Sequence, residues 1–148
     1  MSDGAEAREL RRLMQQLFRR FGMLAGDATP CGKPIAPAHA HAIMVLLAKG
    51  ELSQQQLGAE LGIDKSNVAR LCARLVEAGH AAQEQSETDG RSRRVSLTAA
   101  GRKLAREVDG ASVARFASLI RGLPGAQHQR VIAALEHLVT AIESLPKA

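Results

Sequence analysis

Residues 52–101, LSQQQLGAELGIDKSNVARLCARLVEAGHAAQEQSETDGRSRRVSLTAAG, carry the pattern on which the reading of the chain turns. Leu57, Leu61, Ile63, Val68, Leu71 and Leu75 recur at the spacing of two short crossed helices with a shared apolar interior. Gly58 is small where those helices approach, and Gly62 stands in the turn between them, where a positive φ favours glycine. Ser53 followed by Gln56 reads as a capping box, so the first helix starts near Gln54. Asp64 is placed to cap the second, which should run to about Glu77 before Gly79 stops it. The outward positions of that helix are Lys65, Ser66, Asn67, Ala69, Arg70 and Arg74, polar except for Ala69.

A hairpin follows. Its first strand, Ala81 to Ser86, is poor in β-branched residues, but Asp89-Gly90 is a favoured hairpin turn and Val95-Ser96-Leu97 alternates as a half-buried return strand. Thr98 can then cap a helix beginning at Ala99. Two helices, a tight turn and a hairpin in this order predict a winged helix-turn-helix, whose second helix enters the DNA major groove while the wing reaches the neighbouring backbone or minor groove. From Arg91 to Arg106 stand Arg91, Arg93, Arg94, Arg102, Lys103 and Arg106, with no acidic residue between them. On a wing, such a run points to phosphate contacts. The expected base readers are Ser66, Asn67 and Arg70, since Asn pairs with adenine and Arg with guanine. Lys65, Ala69 and Arg74 on the same face, and Ser53 and Gln54 at the start of the preceding helix, are expected to join the DNA contact, and Asp89 is expected to brace Arg91 beside the minor groove, with Arg93 and Arg94 on phosphates.

The stretches LGAELGIDKSNVARLCARLVEAGHA and DGRSRRVSLTAAG resemble the MarR family of bacterial transcription regulators. The more specific signal is Asp89-x-Arg91 followed by the Val95-x-Leu97-Thr98-x-x-Gly101 exit. The resemblance implies a homodimer with helices from both chain ends interlocked, binding a pseudo-palindromic operator and released by a small ligand or an oxidant. The expected role is that of a cytoplasmic repressor on double-stranded DNA, with no cofactor and no enzymatic activity. Ala69 stands where the family often has Ser or Thr, so one hydroxyl contact is missing.

The flanks fit a mainly α fold with a small β-hairpin wing and dimerisation helices at both ends. Leu10, Leu13, Met14, Leu17, Phe18, Phe21 and Leu24 recur at helical spacing. Val131, Leu135, Leu138, Ile142 and Leu145 step by fours and threes like a coiled-coil seam. Another helix is expected from Ala99 to about Leu119, with Pro124 and Gly125 marking its break from the last. The organisation read from this is a dimerisation helix and loop over 1–36, the DNA-binding lobe over 37–98, and C-terminal dimerisation helices over 99–148. A two-fold dimer would match a two-half-site operator, whereas an intramolecular bundle is the alternative use of the same stripes.

Composition narrows the partners. A chain of 148 residues with a formal charge of +5 suits an acidic partner. With no Trp or Tyr and only Phe18, Phe21 and Phe116, the aromatic platforms that stack single-stranded bases are missing. The charged N-terminus and the lack of a long apolar run read against export or a membrane span, so Cys31 and Cys72 are expected as thiols. No Gly-rich phosphate loop, HExxH, CxxC or nucleophile elbow occurs, which reads against an enzyme.

His39 and His41 are the only close histidines in sequence, and with Cys31 across the loop they form a candidate zinc or copper set. An i, i+2 pair cannot share one helical face, which weakens it. Cys31 beside Lys33 is a candidate redox thiol, His41 and Met44 are candidates for lining an effector cavity, and Cys72 reads as a small packed hydrophobe.

Overall fold

The computed structural model describes residues 2–24, 26, 28–29, 31–85 and 93–146. They divide into two compact units, residues 1–112 and 113–148. In the first, helix α1 (Asp3–Phe21) begins at Ser2, whose hydroxyl accepts from the Ala5 amide, and ends at Gly22 in the left-handed region. Pro37 sets the φ of the first turn of α2 (Pro37–Lys49), which buries Ala40, Ala42, Ile43 and Leu46. The short strand β1 (Leu52–Ser53) leads into α3 (Gln54–Leu61), and α4 (Lys65–Glu77) follows. Strands β2 (Ala81–Gln85) and β3 (Arg93–Leu97) form the hairpin, and α5 (Ala99–Arg121) leaves it.

The two central helices stand where the sequence reading put them. Ser53 and Gln56 exchange both capping-box hydrogen bonds, at 3.0 and 2.9 Å. Gly62 has φ 68°, and a β-carbon on Gly58 would stand 3.2 Å from Val68 Cγ1, so the helices close on a side chain no larger than hydrogen. Leu57, Val68, Leu71 and Leu75 are buried, while Leu61 and Ile63 pack half-buried against them. Each fully buried Leu or Val contributes about 1.5–3 kcal/mol by leaving water.

One strand was not foreseen. Beyond the two-stranded hairpin, Leu52 pairs with Val95 and Ser53 with Arg94, giving a three-stranded antiparallel sheet in the order β1-β3-β2. Two residues are too short for any alternation to register. The pairing centres β3 in the sheet, and Val95 is fully buried against the helices. Thr98 caps α5 by accepting from the Gly101 amide at 3.1 Å. The hairpin turn Asp89-Gly90 and the expected strand end at Ser86 lie outside the described residues.

In the second unit, a single 3-10 turn (Gly125–Gln127) leads into α6 (His128–Glu143), and His128 Nε2 lies 3.0 Å from the carbonyl oxygen of Leu123. No residue of α6 is buried, and Leu135 and Ile142 are 47% and 54% exposed. Leu10, Leu13 and Leu17 of α1 are likewise 44–48% exposed. Both apolar stripes of the sequence reading are therefore partly exposed in the single chain, with Met14, Phe18, Phe21, Val131 and Leu138 half-buried, although Leu24 and Leu145 fall beyond the helices. No helix among the described residues is long and apolar enough to cross a membrane.

Candidate nucleic-acid interface

Helix α4 has two faces of opposite character. Val68, Leu71, Cys72 and Leu75 are buried on one side; Lys65, Ser66, Asn67, Ala69, Arg70 and Arg74 are all exposed on the other. The buried set fixes the rotation of the helix, so its polar face is presented by a rigid support. Cys72 belongs to that support: burial pushes its thiol above the ordinary range, which makes it an inert hydrophobe.

The exposed side chains are ordered by a carboxylate whose role in sequence was only that of a cap. Asp64 Oδ1 accepts from the Asn67 backbone N–H at 2.8 Å, and Oδ2 accepts from Asn67 Nδ2 at 3.1 Å. Asn67 Oδ1 in turn accepts from Arg70 Nη2 at 2.9 Å. The chemistry fixes the amide's orientation, because a carboxylate only accepts and a guanidinium only donates. Asp64 thus holds Asn67, and Asn67 holds Arg70.

At the start of α3, the Ser53 hydroxyl is engaged in its capping bond, and Gln54 Oε1 accepts from Gln83 Nε2 at 2.8 Å. Gln54 therefore ties the first helix of the pair to the first wing strand, a link between residues 29 apart that no local pattern signals. On the wing, Arg93 is exposed, and Arg94 Nε lies 3.3 Å from Glu51 Oε1. Glu51 is the acidic neighbour the sequence reading missed. Asp89 and Arg91 lie outside the described residues.

The candidate metal residues do not form a site, and the candidate effector residues stand on α2 and the loop before it. His39 Nε2 sits 2.9 Å from Nδ1 of His80, with the two rings nearly perpendicular. Burial first, and the neighbouring His80 second, hold His39 below the ordinary histidine value. His41 is exposed, and Met44 packs half-buried at the edge of the core. Cys31 is half-buried, with Sγ 2.9 Å from the Thr29 hydroxyl. Among the described residues no three His, Cys, Asp or Glu side chains come together as a metal site, so the set Cys31, His39 and His41 is not assembled. The ring that approaches His39 is His80, 41 residues away, rather than His41 two residues along.

Residues 34–92 match the MarR family. Among solved structures, the chain is similar to Streptococcus pneumoniae FabT in complex with DNA, with a TM-score of 0.77 and 19% identity over 95% of this chain and 99% of that one. It is similar to a MarR transcriptional regulator from Methanosarcina mazei Go1 at TM-score 0.74 and 24% identity, over 93% and 99%. A third is the PcaV transcriptional regulator of Streptomyces coelicolor in complex with its natural ligand, at TM-score 0.68 and 21% identity over 96% and 94%. No curated protein sequence matches the chain. The matched segment runs from the loop before α2 to the wing and contains all of α3 and α4, the elements that order the polar face. Through this segment the chain resembles the MarR family, and its similarity to the solved structures shows the same winged helix-turn-helix fold.

Proposed function

We propose that the chain is a transcriptional regulator that binds a pseudo-palindromic operator as a homodimer, represses from it, and is released by a small organic ligand. The observation that carries this reading is the face of α4, where Arg70 is held outward through Asn67 and Asp64 above a fully buried apolar back. An exposed guanidinium already fixed in direction suits bidentate recognition of guanine, and Lys65, Arg74, Arg93 and Arg94 supply phosphate contacts around it. A winged helix used only for protein contacts would have no need of this basic surface. The partly exposed stripes of α1 and α6 support the dimer, because an apolar face of several leucines is unfavourable in water. Solved relatives of the same fold include one in complex with DNA and one in complex with its natural ligand. Here the effector residues are taken to be His41 and Met44 on α2, with Cys31 on the preceding loop.

A mobility shift on the DNA flanking this protein's own gene tests the reading, repeated with a panel of small aromatic and aliphatic acids, with zinc and with peroxide. A retarded band that survives competition by unrelated duplex and is released by one acid supports it. Retention no better than that of unrelated duplex overturns it.

A further inference from the structure

His80 is a junction of the DNA-binding lobe. Its N–H donates to the Leu75 carbonyl at 2.9 Å, closing the C-terminus of α4, and its carbonyl accepts from the Thr98 N–H at 3.1 Å. Thr98 Oγ1 donates to the Gly79 carbonyl at 2.6 Å and accepts from the Gly101 N–H, so the first turn of α5 is tied to the same turn. Strand β2 begins one residue later, at Ala81. Onto this junction α2 is fastened by the ring of His39, third residue of its first turn, through the 2.9 Å bond to His80 Nδ1. One side-chain hydrogen bond therefore joins α2 to the point where the recognition helix ends and the wing starts.

The bond needs one ring nitrogen with a proton and one without. Two neutral rings satisfy it, and so does a pair sharing one extra proton. Two imidazolium ions do not, because all four nitrogens are then donors and both rings carry positive charge. We propose that the His39–His80 pair is a proton-sensitive clamp that holds the DNA-binding lobe in its reading form and releases operator DNA when both rings are charged. The proposal rests on the DNA-binding reading above.

Burial and the facing ring both disfavour the second proton on His39, so the clamp stays closed at neutral pH and opens on the acid side. The titratable groups on the surrounding elements include His41 on α2, Arg74 and Glu77 on α4, Glu84 on β2, and Arg102 and Lys103 on α5. All are exposed, and Arg102 Nη1 donates to the Leu97 carbonyl at 3.0 Å. Glu84 stands opposite Arg94 across the ladder, toward the far end of the strands.

The direction of the effect separates the clamp from general electrostatics. Charging a histidine near a polyanion tightens DNA binding as pH falls. The clamp requires the reverse, because the form that binds DNA is the one that refuses the second proton.

The test uses a duplex selected by the full-length protein from a random library at pH 7.5, with a scrambled duplex as reference, and anisotropy titrations from pH 7.5 to 5.5. In the variant His39→Gln with His80→Asn, the amides stand where Nε2 and Nδ1 stood and keep a hydrogen bond without titrating. The parent should lose about tenfold in operator affinity across this range, the equivalent of one unit of linked pKa shift. The double variant should hold its affinity or gain. A double variant with the parental acid loss overturns the clamp. Should the double variant fold poorly, His39→Gln alone is measured, and ring resonances of the parent are followed by NMR. Loss of the acid response and coupled titration of the two rings support the clamp; an unchanged response or independent titration of the rings overturns it. Failure to select any duplex at pH 7.5 would count against DNA binding itself, not against the clamp alone.

Discussion

Gly101 lies flush on the backbone of His80: a β-carbon at position 101 would stand under 3.0 Å from both the carbonyl carbon and the carbonyl oxygen. Backbone cannot rotate aside as a long side chain can, so the contact offers no local relief. Gly101→Ala should destabilise the lobe by about 1–3 kcal/mol, the range for overpacking a close contact. Gly110 in the same helix has nothing within 4 Å of such a carbon. There Gly110→Ala should stabilise by about 0.5–1 kcal/mol, the ordinary helix preference. Urea midpoints of the two variants should move in opposite directions; movement in the same direction would deny the close approach its role.

Asp64 combines a capping oxygen and an orienting oxygen, and the two can be separated. Asp64→Ala loses both and should cost about 1 kcal/mol of stability together with discrimination between duplexes. Asp64→Asn keeps an acceptor for the Asn67 N–H but sets an amide donor against Asn67 Nδ2, so Arg70 loses its support. Its stability should stay within the roughly 0.3–1 kcal/mol that a first-turn charge contributes. Its preference for selected over scrambled duplex should fall by roughly 0.5–1.5 kcal/mol, a hydrogen bond's worth. Arg70→Ala should cost about 1–3 kcal/mol and relax the preference at one base. Equal discrimination by parent and Asp64→Asn would leave Asp64 a cap and nothing more.

The wing arginines should differ in salt dependence. Arg93 is exposed, whereas Arg94 already faces Glu51 at 3.3 Å. Arg93→Ala should reduce the slope of log affinity against log salt by about 0.9, the value for one phosphate contact. Arg94→Ala should reduce it by less, and Glu51→Gln should steepen it. Identical slopes for all three would remove the wing strand from the phosphate contacts.

Stability should fall on the acid side for a reason traceable to His39. Its folded pKa lies below the ordinary histidine value, through burial and then through His80. Below about pH 6.5 the unfolded chain takes up the proton and the folded chain does not, so the contribution is complete above that value and is lost as pH falls toward the folded pKa. Denaturation of His39→Gln should show a shallower loss between neutral pH and about pH 5 than the parent. A parallel pair of curves would mean that the ring titrates alike in both states.

The apolar stripes give a prediction about assembly. Leu135 is 47% exposed in the single chain, so a carboxylate there would cost a monomer little. In a dimer that covers it, Leu135→Glu buries an unpaired charge at a cost of several kcal/mol. Sedimentation should find the parent dimeric and the variant monomeric, with operator affinity lost. A normal dimer in the variant would place the interface elsewhere.

The helix pair and its caps were legible from residues alone, because capping, left-handed glycines and a 3.6-residue apolar period are properties of contiguous chain. Ser53 with Gln56, Asp64, Gly62 and the buried run from Leu57 to Leu75 all stand as local physics requires. The outward face of α4 was legible for the same reason, since burying one side of a helix determines the other. What the sequence could not disclose depends on contacts between distant positions. Strand β1 exists only because Leu52 reaches Val95, and Gln54 is held by Gln83 29 residues away. His39 is paired with His80 across 41 residues, where sequence proximity had suggested His41 and Cys31. Local periodicity determines which face of an element is buried; only the closing of the chain decides which polar groups meet across that burial, because each such meeting is a loop closure with no periodic signature.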